Sequence, residues 1–142
     1  MIKIKFSFYI IFILFLVSGC SDSIVESVSS IDENNEIVDV TPIFTNIQNE
    51  IFDQSCALSG CHVSGGVSPD LSGNSYNNIV NRISSTGVNY ITPNDPDNSY
   101  LLLKMIGSNG ISGSRMPLNA SPIPQNQIDT VIEWINDGAP DN

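Results

Sequence analysis

The fold is decided by the stretch Ser55-Cys56-Ala57-Leu58-Ser59-Gly60-Cys61-His62. It holds two of the chain's three cysteines, and His62, the only histidine in 142 residues, directly follows the second of them. Chance would place a lone histidine after a cysteine in roughly 2% of such sequences. The pattern therefore predicts that Cys56, Cys61 and His62 work together at one site.

Two thiols with an adjacent imidazole are the side chains that attachment of a c-type haem requires. Each thiol forms a thioether with one haem vinyl group, and the imidazole takes one axial position of the iron. The usual spacing places two residues between the cysteines, whereas four separate Cys56 from Cys61. A loop of this length brings both sulfurs to one haem only if it bulges.

Residues 1–19 are predicted to be a lipoprotein signal peptide. Two lysines precede an apolar run over residues 6–17, which is too short to span a bilayer and is typical of a cleaved signal. The run ends in Leu16-Val17-Ser18-Gly19-Cys20, a sequence resembling a lipobox, which predicts lipidation of Cys20. The alternative is an ordinary cleaved signal with an incidental cysteine. Lipidation anchors the mature chain to a membrane of the cell envelope, where it faces the periplasm or the exterior.

Removal of residues 1–19 leaves three basic side chains against fifteen carboxylates, a formal charge of −12. Nucleic-acid binding is not expected, because such a chain cannot neutralise a row of phosphates. Residues 20–41 are acidic and poor in large apolar side chains, so they are predicted to form a flexible tether that starts at lipidated Cys20. A short strand over residues 37–40 is the alternative there. Residues 42–142 remain for one small domain.

Apolar residues recur at helical spacing in four segments of this domain, and no alternating stretch is long enough to predict a sheet. The expected apolar faces consist of Ile43, Ile47 and Ile51; Tyr76, Ile79, Val80 and Ile83; Tyr100, Leu101, Leu102, Met105 and Ile106; and Ile128, Val131, Ile132 and Ile135 with Trp134 beside them. The pattern predicts an all-α fold with long loops.

Capping residues predict where these helices begin and end. The dipeptide Thr41-Pro42 offers an N-cap and a first helical position, so the first helix is expected to begin there. Asp95-Pro96 opens the third helix, which stops at Gly107. The last helix is expected to end at Gly138.

The second axial ligand of a haem iron is predicted to be Met116. The chain has no second histidine, and Met1 leaves with the signal peptide, so Met105 and Met116 are the candidates. Met105 lies four residues after Leu101 on an apolar helix face, where methionine usually fills the core. Met116 lies in the glycine- and proline-rich loop 108–124, where the chain is able to approach a flat cofactor closely.

The order of these motifs resembles that of class I cytochromes c, and more narrowly of bacterial lipoprotein-type monohaem cytochromes c, over about residues 42–139. In that family the last helix crosses the first at an aromatic contact, for which this chain offers Ile51 or Phe52 and Trp134. Further similar segments are Ile91-Thr92-Pro93-Asn94-Asp95-Pro96-Asp97-Asn98-Ser99-Tyr100-Leu101, Arg115-Met116-Pro117 and Glu133-Trp134-Ile135-Asn136-Asp137-Gly138-Ala139. The Cys-x4-Cys-His spacing departs from the family's pattern.

The resemblance implies about four helices wrapped around one covalently bound haem c. It implies thioethers at Cys56 and Cys61, with His62 and Met116 as axial ligands of the iron. The implied function is electron transfer between redox proteins of a respiratory or periplasmic chain, not enzymatic catalysis, because both axial positions are filled. Two alternatives stay open: a haem-free lipoprotein interaction module with a Cys56–Cys61 disulfide, and a haem sensor or peroxidase-like domain in which Met116 is not a ligand.

Overall fold

The computed structural model describes residues 40–142, and this part of the chain is helical without any β-strand. The all-α prediction is therefore confirmed for the described residues. The signal peptide, the lipidated Cys20 and nearly all of the tether lie outside them. Within residues 40–142 no helix is long and apolar enough to cross a membrane.

The first helix covers residues 44–55 in three consecutive segments. It is α-helical over Phe44–Ile47, π-helical over Gln48–Phe52 and α-helical again over Asp53–Ser55. Ile47 and Ile51 are buried, as their spacing predicts. The helix ends directly before Cys56, so its register determines where the cysteine loop begins.

The start of the first helix differs from the prediction. Thr41 does not cap it; the helix begins at Phe44, and its cap comes from the far end of the sequence. The side-chain oxygen of Asn142 accepts a hydrogen bond from the Phe44 amide at 2.7 Å, and the Asn142 carbonyl accepts one from the Thr45 amide at 2.9 Å. The unpaired amides of a helix start need acceptors, and here a tertiary contact supplies them instead of the local sequence.

The second helix is shorter than the sequence predicts. It covers Tyr76–Ile79 only, and Val80 already forms an isolated bridge with Ile91. Ile83 was expected on the buried face but is 71% exposed, and it pairs with Asn89 across a tight turn. The prediction fails because β-branched residues fit a bridge as well as a helix, and backbone pairing with the later segment decides between them.

The last helix and the end of the third follow the predicted signals, but the third helix begins later than predicted. Asp95-Pro96 opens a separate turn, and the extended backbone of Ser99 divides it from the helix. Asp95 accepts a hydrogen bond from the Asn98 amide at 3.2 Å and caps a short 3-10 turn, Pro96–Asn98. The third helix, Tyr100–Ile106, then ends at Gly107, which adopts the left-handed conformation. The last helix covers Gln125–Asn136 and stops two residues before Gly138.

The first and last helices pack together around Trp134, which is fully buried. Its ring lies 5.5 Å from that of Phe44, whose other neighbour is Tyr76 at 5.2 Å in an edge-on arrangement. The indole N–H donates to the Pro140 carbonyl at 2.9 Å. The helix crossing agrees with the expectation, but the aromatic partner of Trp134 is Phe44 and neither Ile51 nor Phe52.

The folded part begins before the predicted domain boundary at residue 42. Val40 falls within the predicted tether, yet it is buried in the core beside the last helix. Its carbonyl accepts a hydrogen bond from the Thr130 hydroxyl at 3.0 Å. This contact fastens the incoming chain to the last helix.

Replacing Trp134 tests how much stability this crossing contributes. Trp134→Ala removes the largest buried side chain and one of the two aromatic neighbours of Phe44, so the free energy of unfolding is expected to fall by about 3–5 kcal/mol. Denaturant titration followed by circular dichroism measures the change. The control is Glu133→Ala, because Glu133 is the exposed neighbour on the same helix. A Trp134 variant as stable as this control would contradict the assignment.

Candidate functional site

One open cavity of about 840 Å³ collects the residues that the sequence singles out. Cys56, Cys61, His62 and Met116 all line it, and so does Met105. The cavity lies between the end of the first helix, the third helix and the loops on either side of them. Its volume falls within the range of about 300–1,000 Å³ that is typical of small-molecule and cofactor sites.

The loop between the two cysteines closes on itself. The His62 amide donates a hydrogen bond to the Cys56 carbonyl at 3.2 Å, and the Cys61 amide donates to the Leu58 carbonyl at 2.8 Å. Gly60 has a φ of 79° at the third position of this turn, a conformation that glycine adopts without strain. The extra residues are thus taken up by an exposed turn, while the ends of the motif stay close together.

Hydrogen bonding determines which nitrogen of His62 is free. Nδ1 lies 3.1 Å from the Val67 carbonyl oxygen and 3.0 Å from that of Pro69. Carbonyl oxygens only accept hydrogen bonds, so Nδ1 carries the proton and donates it. In the neutral imidazole the lone pair is therefore on Nε2, the arrangement that prepares the ring to bind a metal through Nε2.

The segment that accepts these bonds is itself anchored to the first helix. The Leu71 amide donates to the His62 carbonyl at 2.8 Å, and the Leu71 carbonyl accepts from the buried Gln48 side chain at 2.8 Å. The Gln48 side-chain oxygen accepts from the amide and the hydroxyl of Ser75 at 3.1 and 2.7 Å. A second hydrogen bond from the Gln48 side-chain nitrogen, to the Asp53 carboxylate at 2.7 Å, completes the pairing of this buried amide.

The two thiols occupy different surroundings. Cys56 is buried at the edge of the apolar core, whereas Cys61 is exposed, and both are free. Burial raises the pKa of the Cys56 thiol to about 11, and the nearby Cys61 adds to the effect because two adjacent negative charges repel. Cys56 therefore stays protonated at neutral pH, although it also lines the open cavity.

The two candidate methionines are held differently. Met105 is only 4% exposed and belongs to the apolar core as predicted, although it also lines the cavity. Met116 is half-buried in the loop, and both of its backbone polar groups are paired. Its amide donates to the Lys104 carbonyl at 2.8 Å, and its carbonyl accepts from the Arg115 guanidinium at 3.1 Å.

The cavity is almost free of charge in an otherwise strongly acidic chain. No carboxylate is among the described residues that line it, and Lys104 supplies the only ammonium group there. Leu58, Val67 and Leu118 also line the cavity and are exposed. The site thus favours an apolar ligand and does not repel one that carries negative groups.

Several residues of the site have no functional signal in the sequence. Val67 and Pro69 act through backbone carbonyls, and Gln48 acts through a buried amide that local patterns do not distinguish from a solvated one. Lys104 and Arg115 could have been noticed, because they are two of the three basic residues left after removal of residues 1–19.

No protein-family model, curated protein or solved structure matches this chain. Within residues 40–142 no group of three or more histidine, cysteine, aspartate and glutamate side chains is arranged to hold a metal ion. A haem iron takes its equatorial ligands from the porphyrin, so one histidine and one methionine complete its coordination.

Replacing Gly66 tests how the backbone segment that binds His62 is held in place. A methyl group there would lie 2.3 Å from the Cys61 carbonyl oxygen, which accepts the Val67 amide at 2.9 Å. Gly66→Ala is expected to lower the free energy of unfolding by about 1–3 kcal/mol, because the clash is with rigid backbone. Amide hydrogen exchange at Val67 should become faster as this bond breaks.

The matched control is Gly65→Ala. Gly65 has a φ of 79° but open space around it, so alanine strains the backbone there without touching Cys61. The control should lose stability while Val67 stays protected. Unchanged Val67 protection in the Gly66 variant would disprove this account of the turn.

Proposed function

We propose that this protein is a monohaem c-type cytochrome that transfers single electrons between redox partners outside the cytoplasm, and that it is not an enzyme. The observation that carries the proposal is the grouping of two thiols, an imidazole with a free Nε2 and a methionine around one cavity. Few other cofactors need this set of groups.

The residues present fit a haem c. Cys56 and Cys61 would hold it by thioether bonds, and His62 Nε2 and the Met116 sulfur would bind its iron. A bound haem supplies a one-electron redox couple, and methionine ligation places its potential above that of two-histidine ligation. The proposal is also supported by a helix that directly precedes Cys56 and by a last helix that packs against it, an order that resembles class I cytochromes c.

The residues around the cavity perform three tasks. Val67 and Pro69 hold the proton on His62 Nδ1 and so orient the imidazole. Apolar side chains, among them Leu71 and Ile123, exclude water from the interior. The absence of carboxylates from the described lining avoids repulsion of haem propionates.

The proposal includes a lipid anchor at Cys20, a tether and redox partners that present a basic or apolar face. The formal charge of −12 without residues 1–19 would attract a basic partner surface, and the exposed Leu58, Val67 and Leu118 around the cavity offer it an apolar contact. Because the anchor holds the protein at the membrane, the protein meets its redox partners along that one surface.

Haem attachment is the first test. Protein produced in cells with a haem-ligation system should carry one covalent haem, seen as the intact mass and as a pyridine haemochrome spectrum. The variant with both Cys56→Ser and Cys61→Ser should lose the covalent haem. A wild-type mass that corresponds to a disulfide and no haem would support the haem-free interaction module instead.

The axial ligand is the second test. Met116→Ala should keep the haem but lose the near-infrared band of sulfur bound to ferric iron, because only this methionine lies in the loop. Met105→Ala should keep that band and lose about 2–5 kcal/mol of stability, because it leaves a cavity in the core. Loss of the band in the Met105 variant alone would reverse the assignment. An intact haem without the band in wild type would favour a sensor or peroxidase-like domain.

A further inference from the structure

The segment that carries Met116 is fastened to the third helix at alternate residues. The Ser112 amide donates a hydrogen bond to the Tyr100 hydroxyl at 3.1 Å. The Lys104 ammonium donates to the carbonyls of Ser112, at 2.8 Å, and Ser114. The Met116 amide donates to the Lys104 carbonyl at 2.8 Å.

The position of Lys104 explains why one residue makes three of these bonds. It lies in the last turn of Tyr100–Ile106, where backbone carbonyls have no partner within the helix, so its carbonyl is free to accept the Met116 amide. Its side chain starts from the same turn and passes beside Gly113. The Lys104 Nζ lies 3.9 Å from the position that a Cβ atom would occupy at Gly113. An ammonium bound to two carbonyls forms charge-assisted hydrogen bonds, which are stronger than neutral ones.

We infer that Lys104 is the positioning residue of Met116: its ammonium holds segment 112–116 against the third helix and so keeps the methionine directed to the cavity. The inference rests on the proposed function for the ligand role of Met116. The claim that Lys104 holds segment 112–116 closed rests on the hydrogen bonds alone. Lys104 does not itself bind the iron in this assignment.

Lys104→Met tests the inference, because it keeps the length and the helix preference of the side chain and removes the ammonium. The Lys104 carbonyl stays in place. The covalent haem content should be unchanged, while the near-infrared sulfur–iron band weakens. Cyanide should bind the ferric protein about tenfold faster or more, because the open form of the segment gains population when charge-assisted bonds are lost.

Arg82→Met is the matched control. It removes the same charge from the chain, but Arg82 is bonded to the Asn77 carbonyl at 2.8 Å and has no hydrogen bond to segment 112–116. Its cyanide binding rate and near-infrared band should equal those of wild type. Equal effects of the two variants would assign the change to overall charge and overturn the positioning role of Lys104.

Amide hydrogen exchange separates this inference from the proposed function. In the Lys104 variant the amides of Ser112 and Met116 should exchange about tenfold faster than in wild type and in the Arg82 control. A wild-type protein without haem would refute the proposed function, and the exchange rates would still decide whether Lys104 closes the segment. Unchanged exchange and cyanide binding in the Lys104 variant would overturn the inference.

Discussion

The two hydrogen bonds from His62 Nδ1 to the Val67 and Pro69 carbonyls are the constraint on which the site depends. They fix both the tautomer and the direction of the ring, and they do so through backbone atoms. Everything that holds residues 63–71 in place therefore contributes to the chemistry of His62. The closest support is Leu71, which links His62 to the buried Gln48 on the first helix. The first helix thus sets the start of the cysteine loop at Cys56 and also supports the segment that returns to His62.

The helix contact and the cavity are built on the same apolar core. The contact between the first and last helices, centred on Trp134 and Phe44, belongs to one buried apolar cluster. Among the described residues, five members of this cluster also line the cavity: Cys56, Leu71, Leu101, Met105 and Ile123. A chain with about 100 folded residues has little apolar surface to bury, so the apolar side chains that this open cavity leaves exposed give up part of that stabilisation.

Two of the three basic residues that follow position 19 bind the same loop. Lys104 and Arg115 both bind backbone carbonyls of the loop that carries Met116, while the carboxylates lie away from the described lining of the cavity. In the proposed function, the acidic chain attracts a basic partner at long range, while contact at the cavity involves a lining without carboxylates among the described residues. The positive charges of Lys104 and Arg115 help to hold the loop that carries Met116 in place.

The sequence by itself determined the features that depend on neighbours along the chain. Asp95 caps its own turn, Gly107 and Gly138 follow the ends of their helices, and the grouping of Cys56, Cys61 and His62 needs only a short loop. Tertiary structure alone decided the rest, because those features depend on residues that are far apart. Asn142 caps Phe44 across 98 positions of the sequence, and pairing with Ile91 ends the second helix at Ile79. Likewise, the proton on His62 Nδ1 and the closure of the Met116 loop on Lys104 follow from backbone carbonyls, which every residue possesses and whose direction only the folded chain defines.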